Sequence, residues 1–125
     1  MPHITLECSN NVEMDFQSFF KDLAQKLVET GHAATLGIKC RVVKAEEYMI
    51  IDGNEEFKMV NLLFRLREGR SVEVRKQFCA IGMEILKLYL EKDIQDKSII
   101  LSTEIKELIK GIDLTYNSIR EREEQ

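Results

Sequence analysis

Cysteine is sparse in this chain: Cys8, Cys40 and Cys79 stand far apart, with no CxxC and no Cys/His pair. That spacing excludes the usual zinc sites and leaves three reduced thiols of a cytosolic protein as the reading. No apolar run is long enough to cross a bilayer, and the first residues lack the basic region and apolar core of a signal peptide. A cytoplasmic location is therefore expected. Positive charge is not in excess, since 18 Lys and Arg stand against 22 Asp and Glu for a net charge of −4. Nucleic acid and anionic membranes are thus not expected partners, and any cationic site must be local. There is no glycine-rich phosphate loop and no metal-ligand spacing, so nucleotide and metal chemistry are not expected, and Glu7, Cys8 and Ser9 form no nucleophilic constellation.

Proline is the scarcest of these, occurring once, at residue 2. Removal of the initiator methionine, usual before a small second residue, would leave Pro2 as a free secondary amine and therefore a base. What remains is ordinary globular material. The 125 residues are 44% hydrophobic and 32% charged, enough to bury one core in a single domain over 1–125.

Ile4 and Leu6 alternate with His3, Thr5 and Glu7, the period of a half-buried strand that begins at the terminus carrying the chemistry. Asp15 suits an N-cap, followed by Phe16, Phe19, Phe20, Leu23, Leu27 and Val28 at helical spacing, with Gly31 as the stop. A second strand starts near Gly37 and places Lys39 and Arg41 on one face. Asp52-Gly53 suits a tight turn into a strand from Phe57 to about Arg67, with Val60, Leu62, Phe64 and Leu66 on one side. Ser71 reads as the N-cap of a long helix whose Val74, Phe78, Ile81, Ile85 and Leu88 form the apolar stripe, and Ser98 to Lys106 reads as a last strand.

The fold class expected is α+β: duplicated βαβ units, roughly 1–52 and 53–108, forming a four-stranded sheet with two helices on one face. The opposite face, with His3, Thr5, Lys39, Arg41, Val43, Met59, Asn61, Leu63, Ile100 and Ser102, is mixed in character and suits contact between subunits. A C-terminal arm over 109–125, with Ile109, Ile112, Leu114, Tyr116 and Ile119, is too sparse for its own core and is expected to dock on a neighbour. Its last stretch, Arg120 to Gln125, reads as a frayed tail.

The opening MPHITLECSNN, the GIKCRV of the second strand, the Asp52-Gly53 turn and the Gly69-Arg70-Ser71 triplet, in this order and spacing, resemble the 5-carboxymethyl-2-hydroxymuconate isomerases of the tautomerase superfamily. The likeness runs along nearly the whole chain and is weakest after Leu108. It implies a tautomerase-like homotrimer that works without a cofactor, with Pro2 as catalytic base and Lys39, Arg41 and Arg70 holding the carboxylates of a small polycarboxylate substrate. The reaction implied is ketonisation of an acidic dienol, a step in the bacterial degradation of homoprotocatechuate among aromatic compounds. Lys39 departs from the family's GIR motif, where an arginine stands; Arg41, two places on, is kept. Lysine keeps the charge but loses the planar fork that fits a carboxylate, so another keto-enol acid stays open as substrate. A non-catalytic binding protein stays open too if Met1 is retained, because Pro2 would then be an amide.

Overall fold

The computed structural model describes residues 2–124. Strand β1 (His3–Ser9) is followed by helix α1 (Phe16–Glu29), strand β2 (Lys39–Ala45), strand β3 (Lys58–Arg67), helix α2 (Val72–Tyr89), a short helix α3 (Glu91–Gln95) and strand β4 (Ile99–Leu108). Single turns of 3₁₀ helix lie at Thr35–Gly37 and, longer, at Ser118–Glu124. The sheet order is β2-β1-β3-β4: β1 pairs parallel with β2, β3 parallel with β4, and the two inner strands run antiparallel. Each half is thus a βαβ unit, as the alternation and helix periodicity imply, and the structure joins the two at a β1–β3 seam.

Both helices begin where side chains satisfy their first amides. Asp15 Oδ1 accepts from Ser18 N at 3.0 Å, and Ser71 Oγ accepts from Val74 N at 3.2 Å. Helix α1 ends at Thr30, with Gly31 beyond it at φ 80, a conformation that costs glycine little.

Ile4, Leu6 and Cys8 of β1 and Val60, Leu62, Phe64 and Leu66 of β3 are buried under the helices with Phe19, Leu23, Leu27, Phe78 and Leu86. Phe19 meets the Tyr89 ring edge-on at 5.5 Å, which joins the two helices over the sheet. The apolar stripe of α2 differs from the expected one. Leu88 is 68% exposed, whereas Gly82 and Leu86 are buried. The helix lies so close to β3 that its contact row runs through a residue without a side chain, which a search for large apolar residues passes over. A Cβ at Gly82 would stand 2.7 Å from Leu62 Cδ2 and 3.1 Å from Phe64 Cζ.

The topology sets what gathers at one end of the sheet. Because β1 and β2 start where the antiparallel β3 and β4 finish, one rim collects Pro2, Lys39, the Arg67–Ser71 connection and the root of the C-terminal arm. Two backbone bonds stitch this rim: Lys39 N donates to Pro2 O at 3.1 Å, and Glu68 N donates to Leu108 O at 3.1 Å.

Candidate active site

At that rim lies a cleft of about 730 Å³, lined by the 31–34 loop, Lys39, Arg67, Glu68, Arg70 and, from the arm, Thr115, Asn117 and Arg120. Four of its side chains are cations, and the single carboxylate, Glu68, is occupied, accepting from Lys110 N at 2.9 Å. An acidic chain therefore concentrates positive potential at one concave place, where it attracts an anion of matching size.

The four residues singled out from the sequence fall differently. Pro2 is buried at the head of β1, tied by its carbonyl to Lys39. Lys39 and Arg70 line the cleft. Arg41 does not: it lies one row up the open face of the sheet, where its Nε donates to Thr5 Oγ1 at 3.2 Å. Arg70 is held by backbone rather than left swinging. Its Nε and Nη2 both donate to His32 O, at 3.4 and 3.1 Å, and its Nη1 donates to Arg67 O at 3.2 Å. Three of the five guanidinium N–H groups are so engaged and two remain for a ligand.

Arg67, Asn117 and Arg120 join the cleft without having been expected there. For Arg67 the sequence does carry a signal, since it follows the parity of β3 out to its exposed end. Asn117 and Arg120 were not so marked, because nothing in the sequence joins them to a segment eighty residues earlier. The run from Arg120 onward is a 3₁₀ helix over Ser118–Glu124 rather than a frayed tail; Gln125 lies outside the described residues. The arm docks on its own chain, with Asn117 Nδ2 donating to Leu36 O at 2.8 Å. Its apolar side chains nonetheless face outward, with Leu114 93% and Tyr116 80% exposed.

The open face of the sheet carries a second electrostatic feature that periodicity alone did not show. Strand register sets Lys39, His3, Arg65 and Lys106 side by side, one from each strand, in the row next to Pro2. His3 sits amid this positive charge with its Nδ1 buried and without a hydrogen-bond partner among the described residues. Burial, then Lys39, Arg65 and Arg41, bring its pKa from 6.5 down to about 4. The imidazole is thus neutral at physiological pH and adds no further charge beside the terminus. Between those two values the unfolded chain holds a proton that the folded chain lacks, so this residue's contribution to stability is lost as pH falls from 6.5 toward 4. Thermal melts of parent and His3→Gln protein across that window should therefore diverge, the parent losing more on acidification; parallel curves would contradict the assignment.

The two cysteines of the sheet, Cys8 and Cys40, offer no competing chemistry. Burial pushes Cys40 up to about 11 and raises Cys8 as well, so neither is a ready thiolate. No helix among the described residues is long and apolar enough to cross a membrane.

Two βαβ units sharing one sheet, with a proline-headed first strand opening beside a cationic cleft, define a tautomerase-type protein. Comparison with known proteins specifies it further: the sequence profile of the 5-carboxymethyl-2-hydroxymuconate isomerases matches residues 2–123, and the chain belongs to that family of isomerases. It is 29% identical over 121 residues to the 5-carboxymethyl-2-hydroxymuconate Delta-isomerase of Escherichia coli, covering 95% of this chain and 96% of that one. The crystal structure of a 5-carboxymethyl-2-hydroxymuconate isomerase from Deinococcus radiodurans R1 superposes with a TM-score of 0.88 at 26% identity, covering 99% of this chain and 95% of that one. A 5-carboxymethyl-2-hydroxymuconate delta-isomerase structure at 19% identity shares the fold, with a TM-score of 0.84 over 100% of this chain and 94% of the other.

Proposed function

We propose that this protein converts 5-carboxymethyl-2-hydroxymuconate, or a similarly acidic dienol, to its keto isomer by proton transfer through Pro2. The observation that carries this reading is that a buried Pro2, which does not itself line the cleft, lies at the same rim of the sheet as its four cations and is bonded through its carbonyl to the backbone of one of them, Lys39. With Met1 removed, the Pro2 nitrogen accepts the proton of the 2-hydroxyl group, and the resulting dienolate bears its negative charge on oxygen and along the conjugated chain. The same N–H then delivers the proton to a chain carbon, so the base is regenerated and nothing else is consumed. Lys39 and the two uncommitted N–H groups of Arg70 supply charge for the substrate carboxylates and for the developing oxyanion. Arg41, on the open sheet face, is one step further out and serves the substrate through the field it adds. Neighbouring cations and burial both favour the neutral form of the Pro2 amine, which is the form a base needs.

The same reading makes the protein a homotrimer in the cytoplasm. Exposed apolar groups on three separate features support it: Val43 and Ile100 on the open face, Met49 and Ile51 in the β2–β3 connection, and Ile112, Leu114 and Tyr116 in the arm. Ile51 adds a backbone argument, because a β-branched residue at φ 56 is held against its preference and needs surroundings that fix it.

Protein lacking Met1 should ketonise a 2-hydroxymuconate-type dienol faster than the enol of phenylpyruvate, and its mass in solution should be that of three 14.6 kDa chains. The reverse preference would assign it a different keto-enol acid. Activity on neither, or a stable monomer, would contradict the proposal.

A further inference from the structure

The C-terminal arm closes one side of the cleft, and it is fastened there by polar contacts rather than by its apolar side chains. Glu68 Oε1 accepts from Lys110 N at 2.9 Å at the root of the arm. Asp113 Oδ2 accepts from Ile109 N at 2.6 Å and rounds the turn that follows. Farther out, the amide of Asn117 bonds in two directions. Its Nδ2 donates to Leu36 O at 2.8 Å, just before β2, and its Oδ1 accepts from Arg120 N at 3.2 Å. One side chain thus joins the segment that leads into Lys39 to the residue that brings another cation to the same cleft.

The guanidinium of Arg120 makes no hydrogen bond or ion pair with a described residue, and Arg67 across the cleft likewise makes none with its side chain, whereas Arg70 has most of its donors engaged. The cleft therefore holds more cationic capacity than one carboxylate beside Pro2 requires. We infer that the arm is the specificity wall of the site: Arg120, seated by Asn117, binds a second carboxylate of the substrate, and the cleft selects polycarboxylates over monocarboxylates. Arg120 is the binding residue here and Asn117 the positioning residue. The inference rests on the reading of this cleft as the substrate site, and it deepens that reading by assigning the charge count of the substrate to a segment outside the βαβ repeats.

A test by equilibrium binding needs no proton transfer and so separates the two ideas. Calorimetric titration of the full chain without Met1 should show propane-1,2,3-tricarboxylate binding more tightly than propanoate. Arg120→Ala should raise the tricarboxylate Kd by roughly 10-fold, the usual scale for losing a charge-assisted contact, and Arg120→Lys should restore part of it. Asn117→Ala should lower the ratio of monocarboxylate to tricarboxylate Kd in the same direction, by about 3-fold, since a cation on a loosened arm is less well placed. A merely structural role for Asn117 would weaken both ligands alike. Tricarboxylate binding that persists at parental strength in Arg120→Ala protein, or no preference for it in the parent, overturns the inference. Loss of binding in that variant upholds it, even if the parent proves inactive on every dienol. A parent that is active on the dienol while Arg120→Ala binds normally leaves the proposed function standing and removes the arm from it.

Discussion

Pro2→Ala should lower kcat/KM for dienol ketonisation by roughly 100-fold while the fold and assembly survive, the lower end of what a positioned general base contributes. The effect is not total because alanine leaves a primary amine at the same place. That amine lacks the ring that fixes φ and is less well held against the substrate. The backbone contact most at risk, Lys39 N to Pro2 O, survives the substitution because it uses the carbonyl, so β1 and β2 remain in register. Protein that keeps Met1 should fare worse, by roughly 10³-fold or more, since an amide nitrogen has no basic lone pair to offer. Steady-state kinetics on samples of defined terminal mass distinguish the two. Parental activity in Pro2→Ala protein would remove the base from the mechanism.

The second large effect falls on stability. Gly82→Leu should destabilise the protein by about 3 kcal/mol, at the upper end of the cost of overpacking a core, and lower the melting temperature by roughly 10 °C. A Cβ at this position already meets Leu62 at 2.7 Å and the Phe64 ring at 3.1 Å, and both are fully buried with nowhere to retreat. Gly82→Ala should be far milder, because a helix-propensity gain of about 1 kcal/mol offsets much of the crowding. Denaturant melts at one fixed protein concentration provide the comparison. A leucine variant as stable as the parent would mean that α2 does not lie as close to β3 as the structure has it.

Much of this architecture can be read from residues alone. Alternation in His3–Glu7 and Met59–Leu66 marks the two inner strands and their buried parity, and Asp15 and Ser71 mark both helix starts. These are local signals, carried by neighbours in sequence. The close α2 contact at Gly82 is not local: it depends on how near the helix lies to the sheet, and glycine leaves no apolar mark. The site divides along the same line. Pro2, Lys39 and Arg70 are visible from terminal position, strand face and helix start, and topology brings them to one rim. Arg120 is brought to that rim by long-range contacts of the arm, Lys110 N to Glu68 and Asn117 to Leu36, the latter between residues 81 positions apart. Its charged surroundings read as a solvated tail. The neutral state of His3 is likewise not local, since it follows first from burial and then from having Lys39 and Arg65 as cross-strand neighbours.

In the proposed mechanism the nitrogen of Pro2, freed of Met1 and at the same rim as the cations of the cleft, is the base. The most direct measurement is a pH–rate profile for dienol ketonisation paired with an NMR titration of the terminal nitrogen in the same protein, shown by mass to lack Met1. The acidic limb of kcat/KM and the nitrogen resonance should share one midpoint, displaced below the ordinary range of a terminal amine by burial and neighbouring positive charge. A nitrogen that titrates independently of the rate, or methionine-bearing protein that is equally active, would contradict it.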